Sequence, residues 1–137
     1  MERILILGAT GNIGGLVSER LAVRSDAHLR LTSSREAGLG TLAERFPATE
    51  IIQADWYDEA SLMKAMDGVD RVLVVTPDFA TDENIVTPNI IRAAKSACSI
   101  KQIVRLIADS IRADAEVFGP DYRGVIDGID KPVLWSQ

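Results

Sequence analysis

Three glycines at every third position, Gly8, Gly11 and Gly14, lie in the run ILILGATGNIGG near the start of the chain. Glycine admits left-handed turns and lets a backbone approach another group closely. Between a buried strand and a helix, each would have its own task. Gly8 lets the chain leave the strand through a tight turn, Gly11 removes the side chain that would hold the backbone off a phosphate, and Gly14 lets the helix lie close to the sheet. The backbone N–H groups of Asn12, Ile13 and Gly14 then face outward at the positive end of the helix, where a pyrophosphate is well held. The Thr10 hydroxyl adds a donor. Strand, glycine turn and amphipathic helix in this order are the context that a dinucleotide half-site requires.

A second group follows the next apolar run, where the sequence reads Thr32, Ser33, Ser34, Arg35. A carboxylate at this point would take the two ribose hydroxyls of NAD, whereas an arginine suits a 2′-phosphate, to which Ser33 and Ser34 can also donate. Glu36 is the competing carboxylate after a small backbone shift, and a solvated loop position for Arg35 is the plainer alternative. The balance favours NADP(H) over NAD(H). Asp55 follows the third apolar run and either accepts from an adenine amino group, with Trp56 or Tyr57 beside it, or serves as a helix-start carboxylate. Thr76, Pro77 and Asp78 close the fourth run, at the mouth of the same crevice.

The elements that must position these residues alternate along the chain. Arg3 to Leu7, His28 to Thr32, Thr49 to Gln53, Asp70 to Thr76 and Ile103 to Ile107 read as strands, their apolar runs marking strands covered on both faces. Between them come helical patterns: Ile13, Leu16, Val17 and Leu21, ending near Ser25; Leu39, Leu42, Ala43 and Phe46, stopping before Pro47; Leu62, Met63 and Met66, capped by Asp58; and Val86, Ile90, Ala93, Ala94 and Ala97. Thr81 is a candidate cap for the last of these, and Pro88 inside it predicts a kink or a displaced start. The fold class is α/β: a Rossmann-like, doubly wound parallel sheet of about five strands in the order 3-2-1-4-5, with its ligand crevice between strands one and four. Residues 1–137 are expected to form a single domain, truncated on its C-terminal side, with an irregular tail from about residue 112. An uncovered strand five would be a pairing hazard, so the tail or a second subunit is expected to cover that edge.

Composition narrows the partners. The chain has 137 residues, 47% apolar and 26% charged, with a formal charge of −5 and no basic block, which excludes the electrostatic footprint of a nucleic-acid binder. A lone cysteine, Cys98, forms no internal disulfide, and the lone histidine, His28, has no companions with which to hold a metal. No leader pattern or membrane-length apolar run is present, so a cytoplasmic protein with small-molecule or protein partners is expected.

The runs GATGNIGG, ADW and RVLVVTP, with Arg35 after strand two, resemble the NmrA-like group of the atypical short-chain dehydrogenase/reductase superfamily over roughly residues 2–110. The resemblance implies that Gly8, Thr10, Gly11, Asn12, Ile13 and Gly14 line the pyrophosphate. It further implies that Ser34 and Arg35 meet the 2′-phosphate, that Asp55 and Trp56 flank adenine, and that Val75, Thr76 and Pro77 border the ribose and nicotinamide side. The superfamily's tyrosine–lysine pair has no counterpart here, since Tyr122 is followed four residues later by Ile126, although Ser110 falls near the family's serine. The expected function is therefore an NADP(H)-binding module, non-catalytic or redox-sensing; the alternative is an NADPH-dependent reductase of quinone-like or carbonyl acceptors.

Overall fold

Successive strand residues point to opposite faces of a sheet, and along Leu5, Ile6 and Leu7 this alternation divides the core in two. Leu5 and Leu7 join Leu62, Met66, Val72, Val74, Val86 and Ile90 on one face. Ile6 joins Leu29, Leu31, Leu42 and Phe46 on the other. The computed structural model describes residues 1–24, 26–76 and 81–106, and the backbone of residues 123–126 and 129–132.

The described elements are β1 (Glu2–Leu7), α1 (Asn12–Ala22), β2 (Ala27–Ser33), α2 (Glu36–Arg45), β3 (Glu50–Gln53), α3 (Glu59–Met66), β4 (Arg71–Val74), α4 (Glu83–Ala97), β5 (Gln102–Arg105), β6 (Arg123–Ile126) and β7 (Ile129–Pro132). The first five strands form one parallel sheet in the order β3-β2-β1-β4-β5, as the alternation of strand and helix predicts. β1 is central, with Ile4 opposite Leu29 on one side and Arg71 on the other. Fully burying a leucine or valine contributes about 1.5–3 kcal/mol, so the two apolar layers that sandwich β1 dominate its placement. β6 and β7 pair antiparallel with each other; the Asp127-Gly128 dipeptide between them is a strong hairpin signal.

Three local expectations are corrected. Ile13 and Leu16 do not face the core; they are 50% and 59% exposed. α1 instead lies on the sheet through Gly14, Gly15 and Ser18, with Val17 and Leu21 at the edge of the second cluster. The helix approaches too closely for larger side chains, because a Cβ on Gly14 would lie only 2.7 Å from the Gly8 carbonyl carbon. Thr81 does not cap α4. Its hydroxyl goes to Glu83, 3.3 Å away, and the cap is Asp82, which accepts from the Asn84 amide at 3.0 Å. Of the two outcomes expected at Pro88, the displaced start is not found, since α4 runs from Glu83 through Pro88 to Ala97; the missing N–H leaves the Asn84 carbonyl without its bond from residue 88.

Asp58 caps α3 as expected, accepting from the Ala60 amide at 3.1 Å. The expected ends of α1 at Ser25 and of strand five at Ile107 lie outside the described residues.

Candidate functional site

The residues singled out in the sequence gather at the carboxyl ends of β1 to β4, where an open parallel sheet places its ligand. Gly8 has φ +93°, a conformation natural to glycine. A Cβ there would also strike the Val75 carbonyl, whose carbon would lie 2.9 Å away and whose oxygen closer still. That carbonyl is held in place because the Val75 amide donates to the Leu7 carbonyl at 2.9 Å, extending the β1–β4 ladder to the turn. Gly11 closes the turn by donating to the Gly8 carbonyl at 3.2 Å.

Gly11 is the N-cap of α1 and has no side chain to occupy the first turn, which contains no acidic residue. The first bond of the helix runs from the Gly15 amide to the Gly11 carbonyl at 2.8 Å. The amides of Asn12, Ile13 and Gly14 therefore have no intrahelical partner, and Thr10, Gly11, Asn12 and Ile13 are exposed around them. A Cβ at Gly11 would meet only the Gly8 oxygen, at an ordinary 3.4 Å. Gly8 and Gly14 are thus required by the protein's own packing, whereas Gly11 keeps space open on the outside of the turn. This free, positively polarised cradle fits a pyrophosphate.

At the end of β2, Ser34 and Arg35 are exposed. Arg35 is the N-cap of α2, and its amide donates to Ser33 Oγ at 3.3 Å. Its guanidinium has no hydrogen bond or ion pair among the described residues. Ser33, which the sequence suggests as a phosphate donor, is buried instead. Its hydroxyl abuts Gly38 of α2, a neighbour that sequence reasoning missed. A glycine inside a helix is the only signal that could have pointed there.

After β3, Asp55 Oδ1 accepts from the Tyr57 amide at 2.9 Å, and the Asp55 amide donates to Ser61 Oγ at 2.9 Å. The α3 cap belongs to Asp58, so Asp55 shapes the loop and keeps one carboxylate oxygen outside that turn. Trp56 is half-buried against the core below α3 and α4, and its carbonyl accepts from Asn89 Nδ2 at 3.1 Å. The Tyr57 hydroxyl accepts from the Asp82 amide at 2.8 Å, joining this loop to the start of α4.

The β4 end is closed by a network that the sequence did not announce. Thr76 is buried and donates to Glu83 Oε1 at 3.1 Å. Thr87 donates to Oε2 at 2.7 Å, and Arg105 pairs with the same oxygen at 2.6 Å while donating to Thr87 Oγ1 at 2.6 Å. Burial pushes the Glu83 carboxyl up, but the bonds from Thr87, Arg105 and Thr76 and the charge of Arg105 outweigh it and hold the group below its ordinary value. Val75 is partly buried beside the Gly8 turn. Pro77, Asp78, Ser110 and Tyr122 lie outside the described residues.

A cleft of about 510 Å³ opens at the opposite end of the strands, between Arg3, Arg24, His28, Arg45, Phe46 and Glu50. Its arginines are already paired: Arg3 with Glu50 at 3.9 Å, Arg24 with Asp26 at 2.6 Å, and Arg45 with Glu19. No helix among the described residues is long and apolar enough to cross a membrane.

Fold and site together define a Rossmann-type dinucleotide-binding domain. The family model described as NAD(P)H-binding matches residues 8–126, and the chain belongs to that family, in the NmrA-like, short-chain dehydrogenase/reductase group that its motifs resemble. A (4-alkanoyl-5-oxo-2,5-dihydrofuran-3-yl)methyl phosphate reductase of Streptomyces griseus is 33% identical over 118 residues, covering 84% of this chain and 38% of that protein. The triphenylmethane reductase of Citrobacter sp. superposes with a TM-score of 0.67 at 26% identity, over 82% of this chain and 40% of its own. An NADPH-dependent quinone oxidoreductase of Escherichia coli, solved in complex with NADPH, superposes with a TM-score of 0.65 at 31% identity, over 74% of this chain and 35% of its own. The chain thus spans well under half the length of each of these relatives.

Proposed function

We propose that this chain binds NADP(H) and forms the cofactor-holding part of an NADPH-dependent reductase of quinone-like or carbonyl acceptors. The observation that carries the reading is the pairing of an open cradle of amides without intrahelical partners at Asn12 to Gly14 with a guanidinium at Arg35 that has no hydrogen bond or ion pair among the described residues. Asn12, Ile13 and Gly14 would hold the pyrophosphate through backbone N–H groups, with Thr10 adding its hydroxyl. Ser34 and Arg35 would take the 2′-phosphate, a dianionic group that an arginine fork suits better than a ribose diol. Asp55 and Trp56 would border adenine, and Val75, Thr76 and Pro77 the nicotinamide side. The bound cofactor would supply a hydride; the chain would orient it and exclude water from one side.

Reductase chemistry is favoured over a purely non-catalytic role because the three relatives described above are a reductase of a dihydrofuranone-methyl phosphate, a triphenylmethane reductase and a quinone oxidoreductase. Exposed Val104 on the outer strand β5 and exposed Leu106 just after it support an assembly in which a second copy covers that edge. Light scattering giving a monomer at micromolar concentration would remove that part.

Calorimetric titration with NADPH and NADH separately, followed by a quinone-reduction assay on the same sample, tests the whole. Selective NADPH binding with turnover supports the reductase. Selective binding without turnover returns the chain to a non-catalytic module, and binding of neither dinucleotide removes the reading.

A further inference from the structure

Arg35 owes its place to an unusual seat beneath α2. Ser33 Oγ accepts from the Arg35 amide at 3.3 Å, and the same side chain presses on Gly38. A Cβ added at Gly38 would lie 2.8 Å from Ser33 Cβ, closer still to its Oγ, and 3.3 Å from Thr10 Cγ2. Gly40, two residues on in the same helix, has nothing within 4 Å of an added Cβ. Glycine inside a helix costs about 1 kcal/mol relative to alanine. At residue 40 no packing in the structure offsets that cost, whereas at residue 38 the missing side chain lets α2 rest at once on the end of β2 and on the phosphate turn.

We propose that Ser33 and Gly38 are positioning residues that fix Arg35 relative to the Gly8–Gly14 turn and thereby set the preference for a 2′-phosphorylated dinucleotide. This positioning role rests on the proposed contact of Arg35 with the 2′-phosphate. Ser33 fixes the backbone of Arg35 by its hydrogen bond, and Gly38 fixes the height of the helix that Arg35 begins. Thr10, whose Cγ2 would lie 3.3 Å from a Cβ at Gly38, sets that helix against the turn that would hold the pyrophosphate. The two phosphate sites of one ligand are therefore spaced by a single contact among three small residues. A methyl group at residue 38 lifts the first turn of α2 and carries Arg35 with it, leaving the Gly11–Gly14 cradle in place.

The test compares dissociation constants for NADPH and NADH in four variants of the full chain, with thermal unfolding recorded for each. Arg35→Ala reports on the underlying reading and should collapse the NADPH/NADH preference. Gly38→Ala should weaken NADPH about tenfold, the worth of one charge-assisted hydrogen bond, and change NADH by less than about twofold. Ser33→Ala adds no bulk and should weaken NADPH about threefold through the lost anchor of the Arg35 amide. Gly40→Ala is the control and should leave both constants unchanged. If Arg35→Ala collapses the preference while Ser33→Ala and a folded Gly38→Ala leave it intact, the positioning role is overturned and the Arg35 reading survives. If Arg35→Ala itself leaves the preference intact, both fall. Should Gly38→Ala fail to fold, Ser33→Ala decides. A parallel loss for NADPH and NADH in either positioning variant would mark a merely structural role and overturn the proposal.

Discussion

The turn after β1 and the closure at the end of β4 sit side by side in the crevice and are built on opposite principles. The first is made by atoms that are missing: Gly8 and Gly14 are held so closely to Val75 and to each other that no side chain fits. The second is made by side chains, with one carboxylate, Glu83, gathering Thr76, Thr81, Thr87 and Arg105. Backbone packing carries no charge and does not titrate. An ion pair with hydroxyl donors depends on protonation and tolerates exchange of its members. The crevice therefore has a rigid wall at the glycine turn and a wall that responds to its chemistry at the end of β4.

The contrast is most exposed to failure at Gly8. Gly8→Ala places a methyl group against the Val75 carbonyl at φ +93°, combining left-handed strain with overpacking at a cost of about 4 kcal/mol. Urea denaturation should show this as a large drop in midpoint or a chain that does not fold. A loss below about 1 kcal/mol would mean that the turn relaxes easily, and the rigid wall would be no such thing.

On the other wall, Glu83→Gln keeps the shape and removes the charge that Arg105 faces. The expected loss is about 2 kcal/mol at neutral pH, because the charge-assisted bond between Arg105 and the Glu83 carboxylate becomes a neutral one. The pH dependence has a definite sign. The folded Glu83 carboxyl lies below its ordinary value of 4.5, so its contribution is complete above that value and disappears as the pH falls through the folded one. Thermal midpoints of wild type and variant should therefore differ at pH 7 and converge in acid below 4.5. A gap that persists unchanged in acid would assign the effect to packing instead of charge and erase the distinction between the two walls.

How far the sequence spoke follows the same division. The glycine run was legible because its demands are local: a strand, a turn and a helix in immediate succession. The strand order was legible because each apolar run is joined to the next by a helical crossover. The closure around Glu83 was not, since Thr76, Thr87 and Arg105 are ordinary residues brought together only by the folding of β4, α4 and β5. Ile13 and Leu16 misled because helical periodicity cannot reveal that the face closest to the sheet is made of Gly14, Gly15 and Ser18. The seat of α2 on Gly38 was hidden for a similar reason, as nothing in the chain names Ser33 as the neighbour of that glycine.

Gly11 separates the rigid turn from its proposed role, and the smallest stability effect is expected there. Its φ of −76° and ψ of 170° suit any residue, and an added Cβ would make only an ordinary contact. Alanine is a poorer N-cap than glycine by a few tenths of a kcal/mol or more. At a compatible conformation, however, it gains about 0.4–1 kcal/mol by restricting the unfolded chain. These terms offset, so Gly11→Ala should unfold within about 0.5 kcal/mol of wild type. The added methyl nevertheless stands on the exposed side of the turn, where a phosphate would approach the amides of Asn12 to Gly14. Affinity for NADPH and NADH alike should therefore fall at least about tenfold, in contrast to the selective loss expected for Arg35. A variant as unstable as Gly8→Ala would show that all three glycines serve folding. A stable variant with unchanged affinity would show that the open side of the turn is not where the phosphates lie.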